Sequence, residues 1–457
     1  MRTKLGWGVG GMADTYLTYA LTAIAMPIYN IGFGLDAVMV GYALAIPRVV
    51  DAITDPLMGN ISDNTRSRWG RRRPYILGGA ILSAILFPLL WMPPFESDAG
   101  LFAYFLTGLI FISLTYTAFA VPYTALGYEF TTDYDEKTRA LAYKLYFGLI
   151  AGFSVQWIYK LCVLDVFDND ETIGIRYVGT AIALIILVTG VLPAIVCREK
   201  VFVQAQEKVK LKSAFAATFR NKPFGLIMLA YIIILVALQS VGSLGLYVNI
   251  YYVAGGDKAM AGTIGGVFGT VMIVCALLGM KIIGKLSEKT SKRRALITGL
   301  GLGIFGNVTL WFTMIPEFPY LQVVSAVFLG MGIQGAWLMI DSMIADICDE
   351  DEVQTDIRRE GMYGAVKGFT QKVALSVTSV LSGYALAIAG YQEGVEPGLD
   401  VALNMKMLLI GSQIVGLGAG ILIVLRYPLT RARAERNRQI LYERHPERAE
   451  EGVQEIL

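Results

Sequence analysis

The chain has a single histidine, His445, and four cysteines in 457 residues. That scarcity removes whole chemistries. Zinc sites and most acid–base machinery lean on histidine. The cysteines, Cys162, Cys197, Cys275 and Cys348, fall on separate apolar stretches without CxxC or metal-ligand spacing, so neither a disulfide framework nor a zinc site is suggested. No GxSxG, HExxH or phosphate-cradling GxxxxGK[ST] falls in a loop context, and the expectation is a protein that is not an enzyme. Charge is scarce too. Only 17% of residues are charged and 55% are hydrophobic, with a mean hydropathy of +0.55, which argues against a soluble fold. A cleavable signal peptide is not expected, because the first apolar stretch is too long, contains Asp14 and runs straight into further spans. Glycine is plentiful, at 49 residues, and suits close helix packing better than nucleotide loops.

What remains is apolar length. Stretches able to cross a hydrocarbon core of about 30 Å recur about twelve times, at residues 5–31, 37–61, 74–92, 101–127, 140–163 and 173–197, then at 223–252, 259–285, 295–315, 319–347, 361–390 and 401–426. The expected division is a bundle of six (1–198), a charged connector (199–222), a second bundle of six (223–427) and a charged tail (428–457), solvated and partly helical. Lys and Arg crowd the loops after spans 2 and 8 and the connector, whereas the alternate loops carry Glu96, Asp98, Asp165, Asp168, Asp170, Glu171, Glu317, Glu393 and Glu396. By the positive-inside rule the basic loops and both termini are cytoplasmic, which explains the basic patches without nucleic acid. GNISDNTRS (Gly59–Ser67) and GKLSEKTSK (Gly284–Lys292) align as an internal repeat. Two six-span halves of like orientation are the plan of the major facilitator fold, an all-α membrane architecture.

The second span carries Arg48, Asp51 and Asp55 among apolar neighbours. A helix turns once in about 3.6 residues, so these side chains share one face. Intramembrane charges cost roughly 2.5 kcal/mol or more each by insertion scales, and they normally face a cavity, a partner or a transported ion. An Arg48–Asp51 pair that only fixes packing is the plainer alternative, and it leaves Asp55 unexplained.

Three ordered stretches, DAITDPLMGNISDNTRSRWGRRRP (Asp51–Pro74), VPYTALGYEFTTDYDEKTR (Val121–Arg139) and RREGMYGAVKGFTQK (Arg358–Lys372), closely resemble the glycoside-pentoside-hexuronide cation symporter family. The resemblance implies uptake of a sugar, glycoside, pentoside or hexuronide, driven by a cation gradient, through a monomer in the cytoplasmic membrane. The coupling cation, Na+ or H+, takes the place of any cofactor. It implies that Asp51 and Asp55 bind this cation, with a hydroxyl from Thr117. Thr54 stands where a family member has asparagine between the two acids, which leaves sodium against proton open, since paired carboxylates also serve a proton carrier.

Lys372 matches an intramembrane lysine of the family, expected near Asp51 or Asp55, with Arg48 sharing the charge balance; snorkelling to the surface is the alternative. On the substrate side, Asp14 falls at or within one residue of a sugar-binding acid, and Trp337 matches an aromatic lining the pocket. The family's second sugar-binding acid is replaced by Ala120, and an aromatic by Thr124, so a galactoside specificity does not transfer. Tyr116 and Lys144 join the candidates, as do Tyr16, Tyr19, Tyr123 and Gln334, each of which alone is as readily a packing residue. Asp63, Arg66, Glu129, Arg139, Asp346 and Arg358 sit at basic-side helix ends and are expected to form gating ion pairs, although the arginines alone could be topogenic. Competing readings are an uncoupled facilitator, a lysolipid carrier and a transporter-like membrane sensor.

Overall fold

The computed structural model describes residues 2–129, 134–197, 221–357 and 359–444. Among these residues the regular structure is entirely helical. Numbering the long helical segments in chain order gives α1 (residues 2–32), α2 (Ala37–Asn64), α3 (Arg73–Leu89), α4 (Asp98–Glu129), α5 (Tyr134–Val155, followed by a short helix, Ile158–Cys162) and α6 (Glu171–Val196) in the first half. The second half holds α7 (Lys222–Val253), α8 (Lys258–Lys289), α9 (Lys292–Thr313), α10 (Val323–Thr355), α11 (Glu360–Ala389) and α12 (Leu399–Val424), followed by a tail helix, α13 (Arg431–Arg444). Nine of the twelve meet both the length and the hydropathy needed to cross a membrane among the described residues. The other three, α1, α3 and α5, are shorter or carry charges, and their place rests on packing against the rest. The connector lies almost wholly outside the described residues.

Local chemistry sets the helix starts. Asp36, Asp257 and Ser291 each accept a hydrogen bond from the backbone amide three residues on, at 2.9, 2.8 and 3.3 Å, and so cap α2, α8 and α9. Asn221 caps α7 through the Phe224 amide at 3.1 Å. In α1 the α-helical pattern widens to a π-helical turn at Tyr16–Ala20, directly after Asp14, a local distortion often found at functional sites.

The two bundles meet closely at one end. At the end carrying the acidic loops, α2 and α11 cross almost backbone to backbone. A Cβ on Gly383 would stand 2.4 Å from the Ala37 carbonyl oxygen, and one on Gly41 would stand 2.7 Å from that of Ser379, so glycine is needed at both positions for this approach. Around the crossing, Tyr247 donates to Asn30 (2.6 Å), and the Glu393 carboxylate accepts from Asn30 (3.2 Å) and the Ala37 amide (3.1 Å). Lys258 of α8 pairs with Glu171 of α6 at 2.7 Å. One apolar core runs through the first half and continues into the acidic-loop end of the second, while the basic-loop end of the second half forms a separate core around Phe224, Met339 and Tyr363.

The tail departs from expectation. Rather than lying free in solvent, α13 docks on the acidic end of α10. Arg438 reaches Asp346 (3.0 Å) and Asp349 (3.7 Å), Arg444 reaches Asp356 (2.5 Å), and Arg433 pairs with Glu350. Asn437 and Leu441 are buried beneath it. The run DICDEDEVQTD (Asp346–Asp356) carries six acids, and the arginine-rich helix pairs with four of them, Asp346, Asp349, Glu350 and Asp356.

Candidate transport site

The centre of the molecule is a ladder between α2 and α4. Asp51 and Asp55 lie one turn apart on α2, and Ser113 and Thr117 lie one turn apart on α4. Ser113 donates to Asp51, and Thr117 donates to Asp55 at 2.8 Å. Lys372, from α11 of the other half, closes the ladder: its ammonium pairs with Asp55 and lies 3.5 Å from the Asp51 carbonyl. Four oxygen-bearing side chains and one ammonium thus converge at a half-buried position shared by both bundles. Such a set can hold a hard monovalent cation in place of the ammonium, because such ions prefer oxygen ligands.

Thr117 and Lys372 both lie against Asp55, in line with what the resemblance implies. Ser113 was missed, although its spacing of four residues before Thr117 is the same signal that paired the two acids. Thr54 departs from expectation, and Arg48 acts on the acids without a direct pair. The Arg48 guanidinium donates to Thr22 of α1 at 3.1 Å and forms no ion pair with Asp51 among the described contacts, yet it lies within electrostatic reach of Asp51, as does Lys372, which pairs with Asp55. Arg48 projects instead into a cavity of about 530 Å³ between the halves, lined also by Gln156, Gln239, Asn249, Ser382 and Gln413. Thr54 spends its hydroxyl on the Val50 carbonyl of its own helix, 3.1 Å away.

A second cluster gathers most of the substrate candidates. Asp14 pairs with Lys144 at 3.0 Å and accepts from Tyr116 at 2.9 Å, and Tyr116 in turn accepts from Thr18 at 2.9 Å. The Lys144 ammonium stands over the rings of Tyr123 (5.0 Å) and Trp7 (5.9 Å). Trp7 and Tyr123 exchange side-chain to backbone hydrogen bonds at 3.0 and 2.8 Å, which locks α1 to α4, so Tyr123 is a packing residue. Tyr16 is buried against Ser154. Tyr19, in contrast, is 62% exposed within the bundle and lies within electrostatic reach of Asp14 and Arg48. Thr124, two turns beyond Tyr116, makes no polar contact with this cluster among the described residues, and Gln334 is half-buried on α10. Trp337 lies in the other half, edge-on to Tyr231 with ring centroids 5.2 Å apart.

Of the gating candidates, Asp63 is held by Arg72 at 2.7 Å rather than by Arg66, which is exposed. Arg72 comes from the turn that opens α3 and is buried, so it reaches the α2 terminus with less freedom to lose. Asp346 pairs with Lys292 (2.7 Å) and with Arg438 of the tail, all within the second half. Arg139 is exposed in the second turn of α5. Arg358 and the side chain of Glu129 lie outside the described residues.

The profile of the family described as MFS/sugar transport protein matches residues 6–431. The chain belongs to this family of glycoside-pentoside-hexuronide cation symporters. It is 26% identical to a putative glycoside/cation symporter, YagG, of Escherichia coli over 97% of this chain and 95% of that one. It is 24% identical to the isoprimeverose transporter of Lactiplantibacillus pentosus over 91% and 84%. Among solved structures, a mutant form of the nucleoside transporter NupG superposes with a TM-score of 0.68 at 13% identity, over 92% of this chain and 99% of that one, a likeness of fold. The protein is thus a multi-pass membrane protein of the major facilitator fold.

Proposed function

We propose that the protein is a sodium-coupled symporter that imports a carbohydrate by alternating access. The single observation behind this reading is the ladder of Asp51, Ser113, Asp55 and Thr117 closed by Lys372 from the opposite half. A sodium ion entering among these oxygens displaces the ammonium from Asp55, and the hydroxyls turn from donors to ligands. Lys372, the first residue to feel the ion, belongs to the other bundle, so occupancy bears on how the halves sit. The polar cluster of Asp14, Lys144 and Tyr116 offers both an acceptor and donors for sugar hydroxyls. The isoprimeverose and glycoside relatives support a carbohydrate cargo.

The reading places residues 1–198 and 223–427 as the rocking halves, with the basic loops and both termini in the cytoplasm of a cell-membrane monomer. The state described is then inward-facing, sealed on its outer, acidic-loop side.

The test is thermal stability of the purified protein against a panel of glycosides and uronides, with sodium or with choline at fixed pH and ionic strength. A ligand at a hundred times its dissociation constant adds about 2.7 kcal/mol. One saccharide should stabilise more in sodium, and Asp55→Asn should abolish that synergy. Saccharide binding that ignores sodium yet follows pH would reassign the coupling ion to the proton. A response to lysolipids alone would overturn the carbohydrate cargo.

A further inference from the structure

The two halves pack their first and fifth helices differently. In the first half, glycines on α1 let α5 come close: a Cβ on Gly8 would stand 2.6 Å from the Cβ of Tyr143, and one on Gly11 would stand 2.6 Å from the Lys144 carbonyl oxygen. The first helix of the second half, α7, carries a single glycine, Gly225, before Gly242, and a Cβ there would meet nothing within 4 Å. Bulky side chains fill the turns between. Here α7 and α11 leave a groove of about 330 Å³, walled by Ile232 and Val236 on one side and by Phe369, Val373 and Val377 on the other. Its one polar wall residue, Thr370, is buried.

The groove faces away from the cavity between the halves. On α11 that cavity is lined by Leu375, Thr378, Ser379 and Ser382. Val373 and Val377 each stand two residues from Leu375, and a helix turns about 100° per residue, so they point nearly the opposite way. Both are exposed, as is Phe369, and in a membrane-spanning bundle the medium on that face is hydrocarbon. A cation stands at the same end of each helix. Lys222 opens α7, is exposed, makes no ion pair among the described residues, and lies in heptad register with Leu229 and Val236, hence on the groove side. Arg359 immediately precedes α11, and its ion pair with Asp351 is long, at 3.8 Å. Asn221 donates to the Tyr363 hydroxyl at 3.1 Å, which holds the two helix starts side by side. From Lys222 to Ile232, and from Arg359 to Phe369, is ten residues, or about 15 Å of helix. That is about half of a hydrocarbon core of about 30 Å, the depth of one leaflet.

We infer that this groove binds an anionic phospholipid of the leaflet on the basic-loop side, its phosphate held by Lys222 and Arg359 and one acyl chain running along α7 into the apolar slot. The two parts of such a lipid, a charged head and an apolar tail, meet complementary surfaces at the spacing that the lipid itself imposes. The site is separate from the transport cavity and does not depend on what is carried. It nevertheless touches the transport machinery, because Val373 follows Lys372 on α11. The chain therefore packs against the far face of the helix whose ammonium meets Asp55.

The experiment titrates the full chain, purified in an uncharged detergent, with dioleoylphosphatidylglycerol, with dioleoylphosphatidylcholine and with inorganic phosphate. Native mass spectrometry counts bound lipid, and melting temperature reads stabilisation. The anionic lipid should bind at least about tenfold more tightly than its zwitterionic counterpart, since each cation near a headgroup is worth about fivefold. Lys222→Gln and Arg359→Gln should each reduce that preference several-fold, and the two together should bring it close to one. Replacing Lys281 and Lys285, two exposed lysines of α8, by glutamine should leave it unchanged. Val373→Trp and Val377→Trp fill the groove and should weaken both lipids alike. A melting temperature near that of the wild type without lipid reports that each variant is folded. Equal affinity of the wild type for the two lipids, or a loss in the α8 variant as large as in the Lys222 and Arg359 double variant, reduces the contact to ordinary lipid solvation and sinks the proposal. Stabilisation by inorganic phosphate as strong as by the anionic lipid, or lipid binding untouched by both tryptophans, takes the acyl chain out of the groove and sinks it equally.

Discussion

The two ends of the bundle use charge in opposite ways. At the acidic-loop end, ionic and polar contacts run between the halves: Lys258 to Glu171, Asn30 to Glu393 and Tyr247 to Asn30. At the basic-loop end they run within a half: Arg72 to Asp63, Lys292 to Asp346, and the tail arginines to the α10 acids. Contacts between halves must break whenever the halves rock, whereas contacts within a half can persist through the whole cycle. The first kind selects a conformation, and the second holds a bundle together. The Lys372–Asp55 pair is of the first kind but lies at the ladder instead of an end, so there the conformational contact and the proposed ion site are one object.

That difference orders the expected effects of substitution. The largest belongs to Lys372. Lys372→Met removes the ammonium that competes for Asp55, so sodium should bind more tightly, by about tenfold if the lost competition is near 1.4 kcal/mol. Gradient-driven accumulation should nevertheless collapse, because the ion would no longer act on the opposite half. Sodium-dependent melting curves and uptake into proteoliposomes read the two arms. Weaker sodium binding in this variant would show that Lys372 supports the site and does not compete for it.

Glu171→Gln comes next. Glu171 is only 2% exposed, and truncating one partner of a buried pair is strongly destabilising to the state that contains it. Here the loss falls on the state sealed at the acidic-loop end alone. With Lys258 one-third exposed and able to recover water, about 1 to 2 kcal/mol should move the equilibrium five- to thirtyfold toward opening at that end. The four native cysteines are buried. Labelling of a cysteine at Gln239, on the cavity wall, by a membrane-impermeant maleimide applied from the acidic-loop side of sealed vesicles should therefore accelerate by that factor. An unchanged rate would demote the pair to packing.

Arg438→Ala tests the other kind of contact. Arg438 bonds Asp346 and Asp349 but is half-exposed, and Asp346 keeps Lys292, so a stability loss of about 1 kcal/mol is expected. The labelling rate at Gln239 should stay as in the wild type. A change in that rate would mean that the tail helix takes part in gating after all.

How far all this was legible in the sequence depends on the range of the contact. Helix positions, loop charge and the shared face of Asp51 and Asp55 follow from periodicity within one segment, and the structure keeps them. The resemblance carried Thr117 and Lys372 across segments. Nothing local announced that Arg48 would turn to Thr22 or that the tail would fold onto α10, since each partner is chosen by how distant helices pack. The tail is the instructive case. Its arginines read as solvated when taken apart from the six acids between Asp346 and Asp356, four of which they pair with.

The finest test of the comparison lies in two adjacent carboxylates, Asp170 and Glu171, which perform the two different jobs. Glu171 reaches across to the other half, whereas Asp170 caps its own helix, accepting from the Thr172 amide and hydroxyl (both 2.7 Å) and the Ile173 amide (3.4 Å). Burial opposes ionisation of Asp170, but those hydrogen bonds and nearby Lys258 outweigh it and hold the carboxyl below the usual carboxylate range. A depressed folded-state value means that the ionised cap contributes stability above the unfolded pKa, near 3.9, and loses it as pH falls through the folded one. Asp170→Asn keeps the cap geometry and removes the charge, so it should cost about 0.5 kcal/mol at neutral pH. That deficit should fade between neutral pH and a pH below the depressed folded value, where the wild-type carboxyl is also neutral. Melting curves at the two pH values measure it, with the Gln239 labelling rate as the control. A helix cap leaves that rate alone, so a faster rate in Asp170→Asn would show that the acidic-loop end acts as one electrostatic latch and not as two neighbours with separate roles.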